Sequence, residues 1–158
     1  MRVTTDTVAA AHEHTVDRAP TVVALINDVR ADLGDAFDTD VASVTVEAYR
    51  DEADTVFADG DRAVNVAALL ALLEELDVEG DYPGFVVDEL LGRELAGTIA
   101  GQQPLRLLGE ATFHYTDIHT HIEGPAGADD ALAALAAGFQ TRLPGWEWKR
   151  SESPFAVD

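Results

Sequence analysis

Thirty aspartate and glutamate side chains share this chain with ten arginines and lysines, a formal net charge of −20 on 158 residues. A load of that size constrains the fold more than any motif, because carboxylates repel one another in a compact state and favour disorder where apolar residues are sparse. Apolar residues make up 47% of the chain and recur with regular periods, so disorder is excluded. The length suits one domain around a single core.

The residue types show how the repulsion is met. Nine of the ten basic residues are arginine, 18 aspartates outnumber 12 glutamates, and 26 alanines and 16 valines stand against four isoleucines. Short carboxylates, almost no lysine stems and a core of small aliphatics resemble the composition of cytoplasmic proteins of salt-in halophilic archaea. The physics agrees: at about 1 M salt the Debye length is about 3 Å, so surface carboxylates hardly feel one another. Strong salt also strengthens apolar burial, so small side chains suffice for a core. On this reading the charge describes the solvent. The alternative is an acidic partner-binding or DNA-mimicking protein of an ordinary cell.

Several classes fall away. Without cysteine there is no disulfide framework, thiolate metal site or cysteine nucleophile. Residues 1–11 hold no apolar run of signal-peptide length, and no stretch approaches 18 apolar residues, so a cytoplasmic chain with no membrane partner is expected. Glycine-rich phosphate loops and a Gly-x-Ser-x-Gly elbow are absent. Nucleic acid is disfavoured as a partner, since −20 repels phosphate and molar salt removes the counterion-release drive.

Apolar spacing predicts a helix over residues 7–34, which Pro20 either kinks or divides, with Val22, Leu25, Ile26, Val29 and Leu33 inward. Val44, Val46 and Ala48 alternate with polar residues, and Asp59-Gly60-Asp61 resembles a turn, so a β-hairpin is expected over 44–58. Helices are predicted over 63–76, 85–100 and 128–143. Between the last two, residues 105–122 have strand chemistry, with Gly109-Glu110 as a tight turn or bulge. The sum is a single α+β domain over 1–143, in the order α-ββ-α-α-ββ-α, with an antiparallel sheet from two hairpins packed against about four helices. Residues 144–158 form a tryptophan-containing tail.

Two places stand out against the acidic background. On a strand, His119 and His121 point to one face about 7 Å apart, spacing that suits a shared divalent transition metal such as Zn, Mn, Ni or Fe. Asp117 or Glu123 supplies a local carboxylate and His114 a further ligand; no cofactor is assured by this pattern. The competing reading makes these the wet face of a sheet whose other face carries Ile118 and Ile122. His12 and His14, two apart on a helix, diverge too far to chelate together. The second place is the tail, where Trp146, Trp148, Lys149 and Arg150 have the composition of an interface anchor or of a closing segment on the chain's own core. A homo-oligomer or a protein partner is the expectation that follows.

No catalytic arrangement has two independent supports. The functional expectation is therefore a non-enzymatic small-ligand- or protein-binding module for sensing or assembly in a halophilic archaeon. The alternative is a metal-binding protein or metal-dependent hydrolase built on His119 and His121.

Overall fold

Both expected hairpins are helices. In a computed structural model that describes residues 1–76, 86–120 and 127–146, no strand occurs among the described residues, and the α+β expectation with its antiparallel sheet is overturned. The elements are α1 (Thr5–Asp17), α2 (Ala19–Phe37), α3 (Val46–Ala58), α4 (Gly60–Glu75), a π-helical turn (Val87–Gly92) continuing into α5 (Arg93–Ala100), α6 (Leu105–Asp117) and α7 (Gly127–Gln140). None of the described helices is long and apolar enough to cross a membrane.

The first misread segment, α3, shows why alternation misleads. Thr45 is extended and its side chain accepts from the amide of Ala48, an N-cap that starts a helix. From there Tyr49, Ala53 and Val56 are buried at spacings of four and three, so Val44, Val46 and Ala48 alternate by coincidence. Val44 is buried in the preceding loop, where the Asn27 side chain on α2 both donates to its carbonyl (3.1 Å) and accepts from its amide (2.8 Å). Asn27 thus supplies the pairing a neighbouring strand would have given. Asp59, expected in a hairpin turn, caps α4 by accepting from the amide of Arg62 at 3.2 Å.

The second misread segment, α6, buries Gly109, Phe113 and Thr116 at spacings of four and three. Its inward face is a glycine, an aromatic and a threonine, so no aliphatic stripe announces a helix. The Thr112, Thr116 and Thr120 hydroxyls donate to the carbonyls four residues back, at 2.8, 2.7 and 2.9 Å, which lets threonine be buried in a helix with its polarity satisfied. Gly109 is where α6 meets α5: a Cβ there would lie 2.8 Å from that of Ala100. Ile118, expected on a buried sheet face, is 75% exposed.

The other predicted helices form. Pro20 divides the first into α1 and α2, standing in the first turn of α2 where a missing N–H costs nothing. Alanine-rich α7 is buried on nearly every side, which marks a central helix. It packs against α2, α3, α4, α5 and α6. Tyr49 of α3 lies edge-on to Phe139 of α7 at 4.8 Å and donates its hydroxyl to the carbonyl of Thr15 at 3.2 Å.

Burial pushes the Tyr49 phenol above its ordinary range. Below about pH 10 folded and unfolded chains both hold this proton; above it the unfolded chain releases the proton first, so folding stability falls as pH rises. Arg30, whose pKa is lowered to about 10 by burial, acts in the opposite sense over the same window. The stability difference between the native chain and Tyr49→Phe isolates the tyrosine. It is expected to shrink by up to about 1.4 kcal/mol per pH unit above pH 10 in urea titrations; a pH-independent difference would count against the burial argument.

Candidate functional site

Of the sequence-predicted metal ligands, His114 and Asp117 sit on a helix, α6, and not on a strand. His114 on α6 faces the π-helical turn, its Nε2 3.5 Å from Glu89 Oε1. His119, just beyond α6, turns to α2, where its Nε2 lies 3.1 Å from Asp32 Oδ2, with its ring 5.1 Å from that of Tyr115. Five residues apart on a helix, side chains diverge by about 140°, so His114 and His119 serve different interfaces. Asp117 ends α6. His121 and Glu123 lie outside the described residues. Among the described residues no three histidine, aspartate or glutamate side chains converge on a point that could hold a metal ion. On α1, His12 and His14 diverge as expected: His12 pairs with Asp54 at 2.7 Å and stacks on Phe57, whereas His14 pairs with Glu74 at 3.0 Å.

In the tail, Trp146 lies against its own domain. Its Nε1 donates to the carbonyl of Gln140 at 3.1 Å, and its ring lies over the Arg30 guanidinium at 5.2 Å. Trp148, Lys149 and Arg150 lie outside the described residues.

The structure draws attention to residues the sequence did not mark. Between α4 and α5 runs an open cleft of about 650 Å³. One wall is a face of α4, with Asp61, Arg62, Asn65, Ala68 and Leu69 at helical spacing; the other is a face of α5, with Glu94, Thr98 and the following Gly101 and Gln102. Arg106 closes one side from the first turn of α6. Two of the chain's few cations stand in this one cleft, among three carboxylates, Asp59, Asp61 and Glu94.

Their surroundings differ. Arg106 is saturated with acid: its NH2 group is 2.5 Å from Glu94 and its Nε 3.0 Å from Glu110. The hydrogen bond to Glu94, with the Glu110 charge in support, raises its pKa further and keeps it charged. Arg62, with a side chain 22% exposed, has one carboxylate neighbour, Asp59, at 3.7 Å, too long for a hydrogen bond. The guanidiniums of Arg62 and Arg142 converge on Gly101, where a Cβ would lie 3.6 Å from each. Gly101 has φ +112, a conformation that favours glycine, and a Cβ there would make ordinary van der Waals contact with both guanidiniums. Arg142 is held by Glu52 at 2.9 Å and by longer contacts of 3.4 Å to the carbonyls of Ile99 and Ala100, the last residues of α5. The structure extends the helix predicted over 63–76 back to Gly60, which puts Arg62 in its first turn, where the helix dipole disfavours a cation.

The remaining groups are committed elsewhere. The Thr98 hydroxyl donates to its own helix at the carbonyl of Glu94 (2.8 Å), Asp59 caps α4, and Glu94 neutralises Arg106. This lining can hold a polar ligand against an apolar floor of Ala68 and Leu69; it presents no nucleophile beside a base.

One family model matches the chain, over residues 1–158, and its description is a domain of unknown function (DUF7984). No curated protein and no solved structure shows significant similarity to the chain.

Proposed function

We propose, from the premise that this chain belongs to the DUF7984 family, that it is a non-enzymatic module of a salt-filled halophile cytoplasm, holding a small polar ligand in the cleft between α4 and α5. The observation that carries the reading is Arg62: a guanidinium in a cleft wall, on a side chain 22% exposed, whose nearest carboxylate among the described residues stands off at 3.7 Å. A local rule of helix electrostatics is broken there, and sequences tend to break such rules at functional sites. The commitment of Thr98, Asp59 and Glu94 to structural bonds favours binding over turnover.

Thermal-shift screening of small metabolites in molar KCl tests the ligand site. A ligand that raises the Tm of the native chain and leaves Ala68→Trp unmoved, its cleft filled by indole, is the expected result. A shift that survives Ala68→Trp, or turnover of the bound compound, would overturn the reading.

The solvent part has its own test. Raising KCl from 0.1 to 2 M is expected to stabilise the fold by a few kcal/mol, roughly 10 °C in Tm, as carboxylate repulsion is screened and apolar burial strengthened. A Tm that is flat or falls with salt would return the charge to the partner-binding alternative.

A further inference from the structure

We infer that the ligand enters the α4–α5 cleft with an oxyanion, a carboxylate or phosphate head group, which Arg62 binds as a planar fork. The inference rests on the ligand-site reading above and adds the chemistry of what is held.

A guanidinium matches such an oxyanion with two parallel N–H donors, and these charge-assisted bonds are about twice as strong as neutral ones. Three structural functions that would account for Arg62 are filled by other residues or filled only weakly. Arg142 already donates to the carbonyls that end α5. Glu94 and Glu110 are taken by Arg106. Asp59, the acid beside Arg62, stands off at 3.7 Å and accepts instead from the Arg62 backbone amide at 3.2 Å. An anion arriving in the cleft therefore finds a cation that need not abandon a hydrogen-bonded partner. The positive end of α4, in whose first turn Arg62 lies, adds to the attraction. Asp59 and Asp61, which both line the cleft, are the competitors; the Asp59 carboxylate both caps the helix and weakens the site.

The test uses the full chain, ¹⁵N-labelled, in KCl of constant concentration, titrated in separate arms with inorganic phosphate and with acetate. The readout is the Arg62 Nε–Hε resonance, assigned by its disappearance in Arg62→Lys, together with the amides of residues 98–102. A saturable shift in either arm is expected, and the arm that responds more strongly identifies the head group. Arg62→Gln is expected to weaken apparent affinity at least tenfold. Arg62→Lys, which keeps the charge and loses the fork, should weaken it less. Asp59→Asn, which keeps a capping oxygen and removes the competing charge, should tighten binding severalfold, a gain that misfolding cannot produce. Arg93→Gln, on α5 but outside the cleft, should leave it unchanged. If a ligand blocked by Ala68→Trp binds equally well to Arg62→Gln, the ligand site stands and the oxyanion inference falls. If neither oxyanion shifts the cleft signals and no compound is blocked by Ala68→Trp, both fall.

Discussion

Arg30→Met is expected to cost about 3–5 kcal/mol of folding stability, because several buried acceptors lose their donor at about 1–3 kcal/mol each, and to lower Tm by roughly 10 °C or more. Arg30 lies on α2, and its side chain is 1% exposed. Its Nε donates to Gln140 Oε1 at 2.5 Å, and NH1 reaches the carbonyls of Ala42 (2.5 Å) and Pro144 (2.6 Å). NH2 lies 3.4 Å from the carbonyls of both Gln140 and Leu143. One guanidinium thus satisfies the carbonyl end of α7 and the loop that follows α2, and holds the two together. A helix C-terminus is the negative end of its dipole, so the cation is placed where a buried charge is best tolerated. Burial still lowers its pKa to about 10, which leaves it charged near neutral pH.

The backbone has been shaped around this contact. Gly145 has φ +111, and a Cβ there would come within 2.7 Å of Arg30 NH1. Methionine fills much of the volume but withdraws the Arg30 donors from the carbonyls of Ala42 and Pro144 and from Gln140 Oε1, and each unsatisfied buried acceptor costs about 1–3 kcal/mol. Arg30→Lys should be nearly as damaging, because one ammonium cannot reach acceptors spread over the faces of a planar fork. Urea unfolding of both variants within about 1 kcal/mol of the native chain would show that the cage is held by something else.

A single methyl group at Gly138 is expected to have the second large effect. Gly138 lies on α7 where α5 crosses it: an added Cβ would stand 2.6 Å from Ile99 Cβ and 2.9 Å from the carbonyl oxygen of Ala96. The obstacle is rigid, since one atom is backbone and the other is the first carbon of a β-branched side chain. Relief requires α5 and α7 to move apart, which opens the most buried helix to voids on both flanks. Gly138→Ala should cost about 2–3 kcal/mol, the upper part of the overpacking range. Gly60→Ala serves as the contrast. Gly60 begins α4 with nothing within 4 Å of its added Cβ and no positive φ, so the same substitution should stabilise by about 0.4–1 kcal/mol through the unfolded chain. Equal effects at the two glycines would show that backbone entropy, and not the α5–α7 approach, sets the outcome.

Helices were legible wherever the inward face was made of large aliphatics. Val22, Ile26 and Val29 of α2 and Val66, Leu70 and Leu73 of α4 are fully or nearly buried, at the spacing a helix requires. In α3 and α6, where the inward face was small, aromatic or hydroxylated, the sequence pointed to strands. Tyr49, Ala53 and Val56 are a helical set, but neighbouring valines imitate alternation; Gly109, Phe113 and Thr116 are another, whose threonines have strand propensity until their hydroxyls find carbonyls four residues back. The metal reading of His119 and His121 was built on strand parity; the structure places His119 just beyond α6, paired with Asp32, and His121 lies outside the described residues. The cleft was hardly legible, because Arg62 and Arg106 are 44 positions apart and meet only when α4 and α6 are both placed beside α5.

By itself the sequence determined the outer terms of the problem: a charge of −20, no cysteine chemistry, and apolar stripes that mark four helical segments. Those properties depend on composition and on residues within a few turns of one another. Tertiary structure alone decided which of nine chemically identical arginines is buried as a clasp at Arg30, which is neutralised at Arg106, and which is left with donors to spare at Arg62. A guanidinium's function is set by what surrounds it, and for these three the acceptors come from carbonyls and carboxylates brought together by helix packing.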